Sequence, residues 1–144
     1  MLKNKIDWRE QLQPEKHIHL IGVGGIGMAG LAILLHERGM RISGCDVVSN
    51  RQTAYLQACG IPIDFHHDVM HLEPCDLLIR SSAVSLDTEE VQEAIRRCIP
   101  VIQRGYVLAE LVRDRICIAV AGSHGKTSTA AILSQLLQSC LLYT

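Results

Sequence analysis

The sequence predicts an α/β fold: a Rossmann-like parallel sheet with helices on both faces, followed by one more strand, a P-loop-like glycine turn and a helix. Three observations carry this. Strand-length apolar runs alternate with segments of helical period along the whole chain. The runs are apolar on both faces, as strands covered by helices on two sides must be. The first and last runs each end in a glycine-rich loop that leads straight into a helix.

The elements follow in order. Residues 1–16 form a polar lead-in, with a short helix expected around Trp8. HIHLIGV (17–23) reads as the first buried strand, and GGIGMAGLAILLHERG as a glycine turn feeding an amphipathic helix that stops at Gly39. MRISGCD (40–46) is a second strand closed by an acid, RQTAYLQACG (51–60) a short helix with a glycine terminator, and IPIDFHH (61–67) a third strand. CDLLIRSSA (75–83) is a fourth, very apolar strand. DTEEVQEAIRRC (87–98) has acids in its first turn and arginines in its last, which suits a helix dipole. IPVIQR (99–104) and GYVLAELVRD (105–114) make a fifth strand and its helix; RICIAVAG (115–122) is a sixth strand, and KTSTAAILSQLLQSC (126–140) the last helix. The expected domains are a lead-in over 1–16, a Rossmann-like domain over 17–114, and the start of an ATP-binding domain over 115–144.

Composition narrows the function classes. The chain has 144 residues, enough for one core, with 48% hydrophobic and 20% charged residues and a net charge of −1. It has neither an acidic tail nor a basic arm, and 3% aromatics leave no base-stacking platform, so no nucleic-acid partner is expected. No apolar segment precedes Ile18 and no run is long enough to cross a bilayer, which predicts a cytoplasmic protein with no membrane partner. Cys45, Cys59, Cys75, Cys98, Cys117 and Cys140 are scattered singly with no CxxC, and are expected to be buried, reduced thiols.

The first glycine loop, GVGGIG (22–27), fits G-x-G-x-x-G between a strand and a helix, the context that motif requires. Gly22 permits the tight turn, Gly24 lets backbone approach a diphosphate, and Gly27 lets helix and strand pack, while the helix N-terminus faces negative charge. Asp46, nineteen residues after Gly27, stands at the end of the second strand, where an acid can accept hydrogen bonds from ribose hydroxyls. The fingerprint suits NAD, and equally any other nucleotide diphosphate.

The second loop, AGSHGKTS (121–128), is not a strict P-loop, because Val120 stands where the first glycine is required. The shorter form still has its parts. Backbone N–H groups of residues 123–127 can ring a phosphate, Lys126 can reach β and γ phosphates, and the Thr127 hydroxyl can ligate Mg²⁺. Two phosphate loops in one chain suggest an enzyme that holds a nucleotide-linked substrate and consumes ATP.

HIHLIGVGGIGMAGLAILLHERGMRISGCD, SSAV and AGSHGKTST together resemble the N-terminal part of the Mur ligases, over residues 17 to 138. The resemblance implies a three-domain enzyme of peptidoglycan synthesis, of which this chain is an N-terminal fragment, inactive alone. It implies ATP and Mg²⁺ as cofactors, and UDP-N-acetylmuramate and L-alanine as substrates. It places Gly24, Gly25, Ile26 and Gly27 on the UDP diphosphate, Asp46 near the uridine ribose, and His67, Ser81, Ser82 and Ala83 around the UDP-sugar. Gly122, Ser123, His124, Gly125, Lys126, Thr127 and Ser128 become the ATP loop, with Lys126 and Thr127 catalytic and Thr127 a metal ligand. His66 replaces a family glycine, and no physical role attaches to His124. The implied reaction is amide formation through an acyl phosphate.

Other readings compete. An NAD-binding oxidoreductase or sensor domain explains GVGGIG and Asp46 but not GSHGKT; a non-catalytic nucleotide-binding module explains the length. HHDVMH (66–71), near Cys59 and Cys75, matches no zinc spacing and reads as a polar loop with solvated histidines. Glu89, Glu90 and Glu93 read as a solvated helix face. An unpaired sixth strand would favour self-association through the truncated end.

Overall fold

The computed structural model describes residues 7–141. They fall into two compact units, Met1–Arg113 and Asp114–Thr144.

The first unit is built on five strands: β1 (His17–Ile21), β2 (Arg41–Cys45), β3 (Ile63–Asp64), β4 (Leu77–Arg80) and β5 (Val101–Gln103). All neighbours are parallel, in the order β3-β2-β1-β4-β5. Four helices cover the sheet: α1 (Ile26–Glu37), α2 (Arg51–Ala58), α3 (Glu89–Arg96) and α4 (Arg104–Leu111). Short 3₁₀ turns occupy Trp8–Gln11 and Val69–Leu72.

Side chains alternate across the pleat, so each strand feeds two cores. Ile18, Leu20, Ile42, Leu77 and Ile79 pack with Leu31 and Leu35 of α1, Leu56 of α2 and Val107 of α4. Ile21, Cys45 and Leu78 face the other way, onto Val91 and Ala94 of α3 and Leu72 of the second 3₁₀ turn. A fully buried Leu or Ile contributes about 1.5–3 kcal/mol, so these two layers hold the sheet between its helices. Local signals set the helix ends. Asn50 caps α2 by accepting from the backbone N–H groups of Gln52 and Thr53, and the Thr53 hydroxyl accepts from the Asn50 N–H to complete a capping box. Gly39, at φ +86°, follows the end of α1.

The strand order reverses between β1 and β4. Ile21 pairs with Cys45 on one side and with Arg80 on the other, so Gly22, Asp46 and Ser81 emerge together at the carboxyl edge. That crevice is where open parallel sheets bind ligands.

The strands and helices are shorter than the sequence suggests. The runs at 61–67 and 75–83 pair only over Ile63–Asp64 and Leu77–Arg80, and the helix expected over 87–98 spans Glu89–Arg96. The second unit departs further. Residues 115–122 form no strand, and α5 (Lys126–Leu141) is its only regular element among the described residues. Apolar character favours a strand, but a strand exists only through ladder partners, and these residues have none among the described residues. The expectation of buried thiols also needs correction: Cys45 is buried and Cys75 half-buried, while Cys59, Cys98, Cys117 and Cys140 are exposed. No helix among the described residues is long and apolar enough to cross a membrane.

Candidate functional site

At the switch point, Gly22 turns with φ +75°, and its N–H donates to Cys45 O at 2.9 Å. Three more bonds hold the loop: the Val23 N–H donates to Cys45 O at 3.1 Å, the Gly24 N–H donates to Asp46 Oδ2 at 2.8 Å, and Asn50 Nδ2 donates to Gly24 O at 3.0 Å. The Gly24 N–H is thus committed to protein. The N–H groups of Gly25, Ile26 and Gly27 carry no hydrogen bond among the described residues, and they stand at the N-terminus of α1. Asp46 is a staple as well as an edge acid, because its Oδ1 accepts the Val48 N–H at 3.1 Å.

A cavity of about 410 Å³ opens here, lined in part by Gly22, Gly25, Asp46, His67, Ser81 and Ala83. The structure therefore brings together residues from four separate segments that the sequence singled out, those after β1, β2, β3 and β4. Ser82 lines a neighbouring cavity of about 460 Å³ instead, with Gln103, Arg104, Gly105, Tyr106 and Ala109. Ile26 is 79% exposed and lines neither cavity. Arg104 is a residue that sequence reasoning missed. Its guanidinium packs on Gly27, where an added Cβ would have to displace it, and it has no ion-pair partner among the described residues. Asn50 was missed too, although an Asn before RQTAYL is a readable cap signal.

Beneath the cavity lies a buried polar cluster that overturns two expectations. Glu90 is 0% exposed rather than solvated, and His71 is only 10% exposed in its side chain. Glu90 shares its helix face with the buried Val91 and Ala94, whereas Glu93 lies outside and pairs with Arg96 and Arg97. Glu90 Oε1 is 3.1 Å from both His19 Nε2 and His71 Nδ1. Its Oε2 is 3.3 Å from His67 Nδ1 and accepts from Cys45 Sγ at 3.5 Å. Burial opposes ionisation of Glu90, yet the facing His19 and His71 outweigh it and hold the carboxyl below the usual carboxylate range. Burial, then the Glu90 charge, pushes the Cys45 thiol well above its ordinary range. His67 bridges cluster and cavity, and its side chain is 30% exposed.

The second loop is built differently. Gly122 and Gly125 hold φ +154° and +75°, and the N–H groups of Ser123 through Ser128 carry no hydrogen bond among the described residues. Lys126 Nζ folds back on the loop, donating to Gly122 O at 2.6 Å and Ser123 O at 3.3 Å. Thr127 and Ser128 stand in the first turn of α5. Such a curved run of unpaired amides fits a phosphate.

A family model described as "Mur ligase family, catalytic domain" matches residues 17–116. The chain belongs to the Mur ligase family. Among family members, the UDP-N-acetylmuramate–L-alanine ligase of Baumannia cicadellinicola subsp. Homalodisca coagulata is 46% identical over 127 residues, 88% of this chain and 26% of that protein. The chain thus spans about a quarter of the length of the curated Mur ligases it matches. The UDP-N-acetylmuramate–alanine ligase of Thermotoga maritima superposes with a TM-score of 0.81 at 31% identity, over 85% of this chain and 29% of its own. A murein peptide ligase of Psychrobacter arcticus 273-4 gives 0.79 at 28% identity, over 85% and 26%. The parallel five-stranded sheet with helices is the sheet of these Mur ligases.

Proposed function

We propose that this chain supplies the UDP-sugar site, and the phosphate loop for ATP, of a cytoplasmic ligase that joins L-alanine to UDP-N-acetylmuramate. One observation carries the reading: Gly25, Ile26 and Gly27 present three successive N–H groups without a partner among the described residues at the start of α1, and Gly25 lines the switch-point cavity, where a diphosphate has room. The names and sequence identities of the relatives support the choice of substrates.

In this reading the three amides donate to diphosphate oxygens, and Arg104 adds positive charge beside them. Asp46 sits by the ribose with Gly24 and Val48 already holding it in place. His67, Ser81, Ser82 and Ala83 surround the sugar. The amides of Ser123, His124, Gly125, Lys126, Thr127 and Ser128 take the phosphates of ATP. Lys126 leaves its own carbonyls for the β and γ phosphates, and the Thr127 hydroxyl is the chain's ligand for Mg²⁺. When bound, Mg²⁺ neutralises charge on the transferring phosphoryl group. The muramate carboxylate attacks the γ-phosphorus and ADP leaves; the amine of L-alanine then attacks the acyl carbon and phosphate leaves. The chain alone is expected to release no phosphate in a coupled assay, because it spans a quarter of its relatives.

Calorimetric titration tests the substrate site. UDP-N-acetylmuramate should bind with displacement by UDP, and more tightly than NAD. Gly25→Pro is the sharpest variant: φ there is −73°, which proline accepts, so the change removes one donor and little else. A charge-assisted hydrogen bond of about 1.5–3 kcal/mol makes the expected loss about tenfold to a hundredfold. Tighter binding of NAD, or indifference to Gly25→Pro, would overturn the reading.

A further inference from the structure

We propose that His19, Cys45, His71 and Glu90 form a structural zinc site buried under the switch-point cavity, apart from the two nucleotide loops. The four residues offer donor atoms that all lie within 4.8 Å of one another. They come from four segments: β1, the end of β2, the second 3₁₀ turn and α3. Zinc bonds of about 2.0–2.1 Å to nitrogen or oxygen and 2.3 Å to sulfur set tetrahedral edges near 3.3–3.6 Å. Glu90 already stands 3.1 Å from His19 Nε2, 3.1 Å from His71 Nδ1 and 3.5 Å from Cys45 Sγ. The widest donor separation, up to 4.8 Å, would have to close by about 1 Å.

An independent observation points to a ligand. His19 Nε2 stands 3.1 Å from Glu90 Oε1 without an aligned hydrogen bond to it, the one buried side-chain polar atom among the described residues left so. A contact so misaligned recovers only part of the about 1–3 kcal/mol that a buried polar atom loses when it leaves water. The other nitrogen of each histidine is already held. His19 Nδ1 is 2.8 Å from Ser43 Oγ, and His71 Nε2 is 3.3 Å from Asp64 Oδ2. This is the outer arrangement that orients imidazoles for metal, leaving Nε2 of His19 and Nδ1 of His71 to coordinate. Two neutral imidazoles, one thiolate and one carboxylate carry a charge of −2, which a divalent ion neutralises. Mixed nitrogen, sulfur and oxygen donors in a closed set of four favour zinc in a structural role. Such an ion would pin β1, β2 and α3 together, and with them His67 and Asp46 at the cavity floor.

The test uses the full 144-residue chain with Cys59, Cys98, Cys117 and Cys140 changed to serine, which removes the exposed thiols. Zinc titrated against a competing chelator should bind one ion per chain. Cobalt(II) in its place should give tetrahedral d–d bands and a thiolate-to-cobalt band. Cys45→Ser should abolish the thiolate band and weaken zinc at least about a hundredfold, and Ser43→Ala should weaken it about tenfold. Should Cys45→Ser not fold, Cys75→Ser decides: the thiolate band persists if Cys45 is the ligand and disappears if Cys75 is. No tight zinc, a cobalt spectrum without thiolate, or zinc affinity indifferent to Cys45→Ser overturns the proposal.

Discussion

Gly22 and Gly125 hold the same φ, +75°, each at the turn of a glycine loop, yet their surroundings differ. A Cβ at Gly22 would fall 3.0 Å from both Ser81 Cβ and Val84 Cγ2. A Cβ at Gly125 would meet nothing within 4 Å. The first loop is shaped by what packs on it: β2 and the loop after β4 close around it, and Asp46 and Asn50 tie it down. The second is shaped by its own backbone and by Lys126 folding onto Gly122 and Ser123. The comparison teaches that one glycine motif can be part of a core while another is a local conformation, with the same chemistry of unpaired amides in both.

Amide exchange should show the contrast most strongly. Backbone amides in β1, β2 and β4 should exchange at least about a thousandfold more slowly than those of α5, because the strands open only with their unit while a lone helix in a unit with no sheet opens locally. Equal protection in α5 would show that it is held as firmly as the sheet, and would break the comparison.

Substitution at the two matched glycines comes next. Gly22→Ala combines left-handed strain of about 1–2 kcal/mol with overpacking of about 1–3 kcal/mol, and should lower stability by about 3 kcal/mol in urea unfolding. Gly125→Ala carries strain alone, about 1 kcal/mol, read as a small loss of helix signal. Equal effects at the two sites would mean that packing does not shape the first loop.

A smaller effect should appear with pH. Asp76 anchors the start of β1, accepting the His17 N–H at 2.9 Å and Lys16 Nζ at 3.1 Å. Partial burial opposes its charge, but the His17 N–H and Lys16 prevail and hold its carboxyl below the usual range. Its contribution is therefore present above the ordinary carboxylate value of about 3.9 and is lost as pH falls through the lower folded value. Asp76→Asn should cost about 1 kcal/mol at pH 7, with wild type and variant converging near pH 2. Among the described residues, no ion pair lies within 115–141, so α5 should lack this acid-sensitive step. The smallest effect belongs to Lys126→Ala, which should change stability by less than about 0.5 kcal/mol while abolishing measurable ATP binding.

Much of the sheet was legible because periodicity reports burial. The five strands of the first unit, its four helices and the glycine turn lie where apolar runs and glycines put them, with ends trimmed by a few residues. The sixth strand was misread because apolar composition is local evidence and strand pairing is not. Glu90 was misread because Glu89 and Glu90 were grouped with Glu93 by charge. Helical phase alone does not separate Glu90 from Glu93, which are i and i+3; the docking of α3 buries Glu90 with Val91 and Ala94 and leaves Glu93 to Arg96 and Arg97. The role of Arg104 was out of reach, since nothing in IPVIQRG says that its guanidinium lies on Gly27, far away in the chain.

The sequence by itself determined the alternation of strands and helices, the two glycine loops and the acid after β2, because these follow from short-range periodicity and from the freedom of glycine. Only the tertiary structure decided that β1 lies between β2 and β4, which gathers Gly25, Asp46, His67 and Ser81 around one cavity. It alone decided that His19, Cys45, His71 and Glu90 share one buried point. Those groups are up to 71 positions apart in the chain, from His19 to Glu90. Strand order and helix docking, which arise from packing the whole sheet at once, set their distances in space.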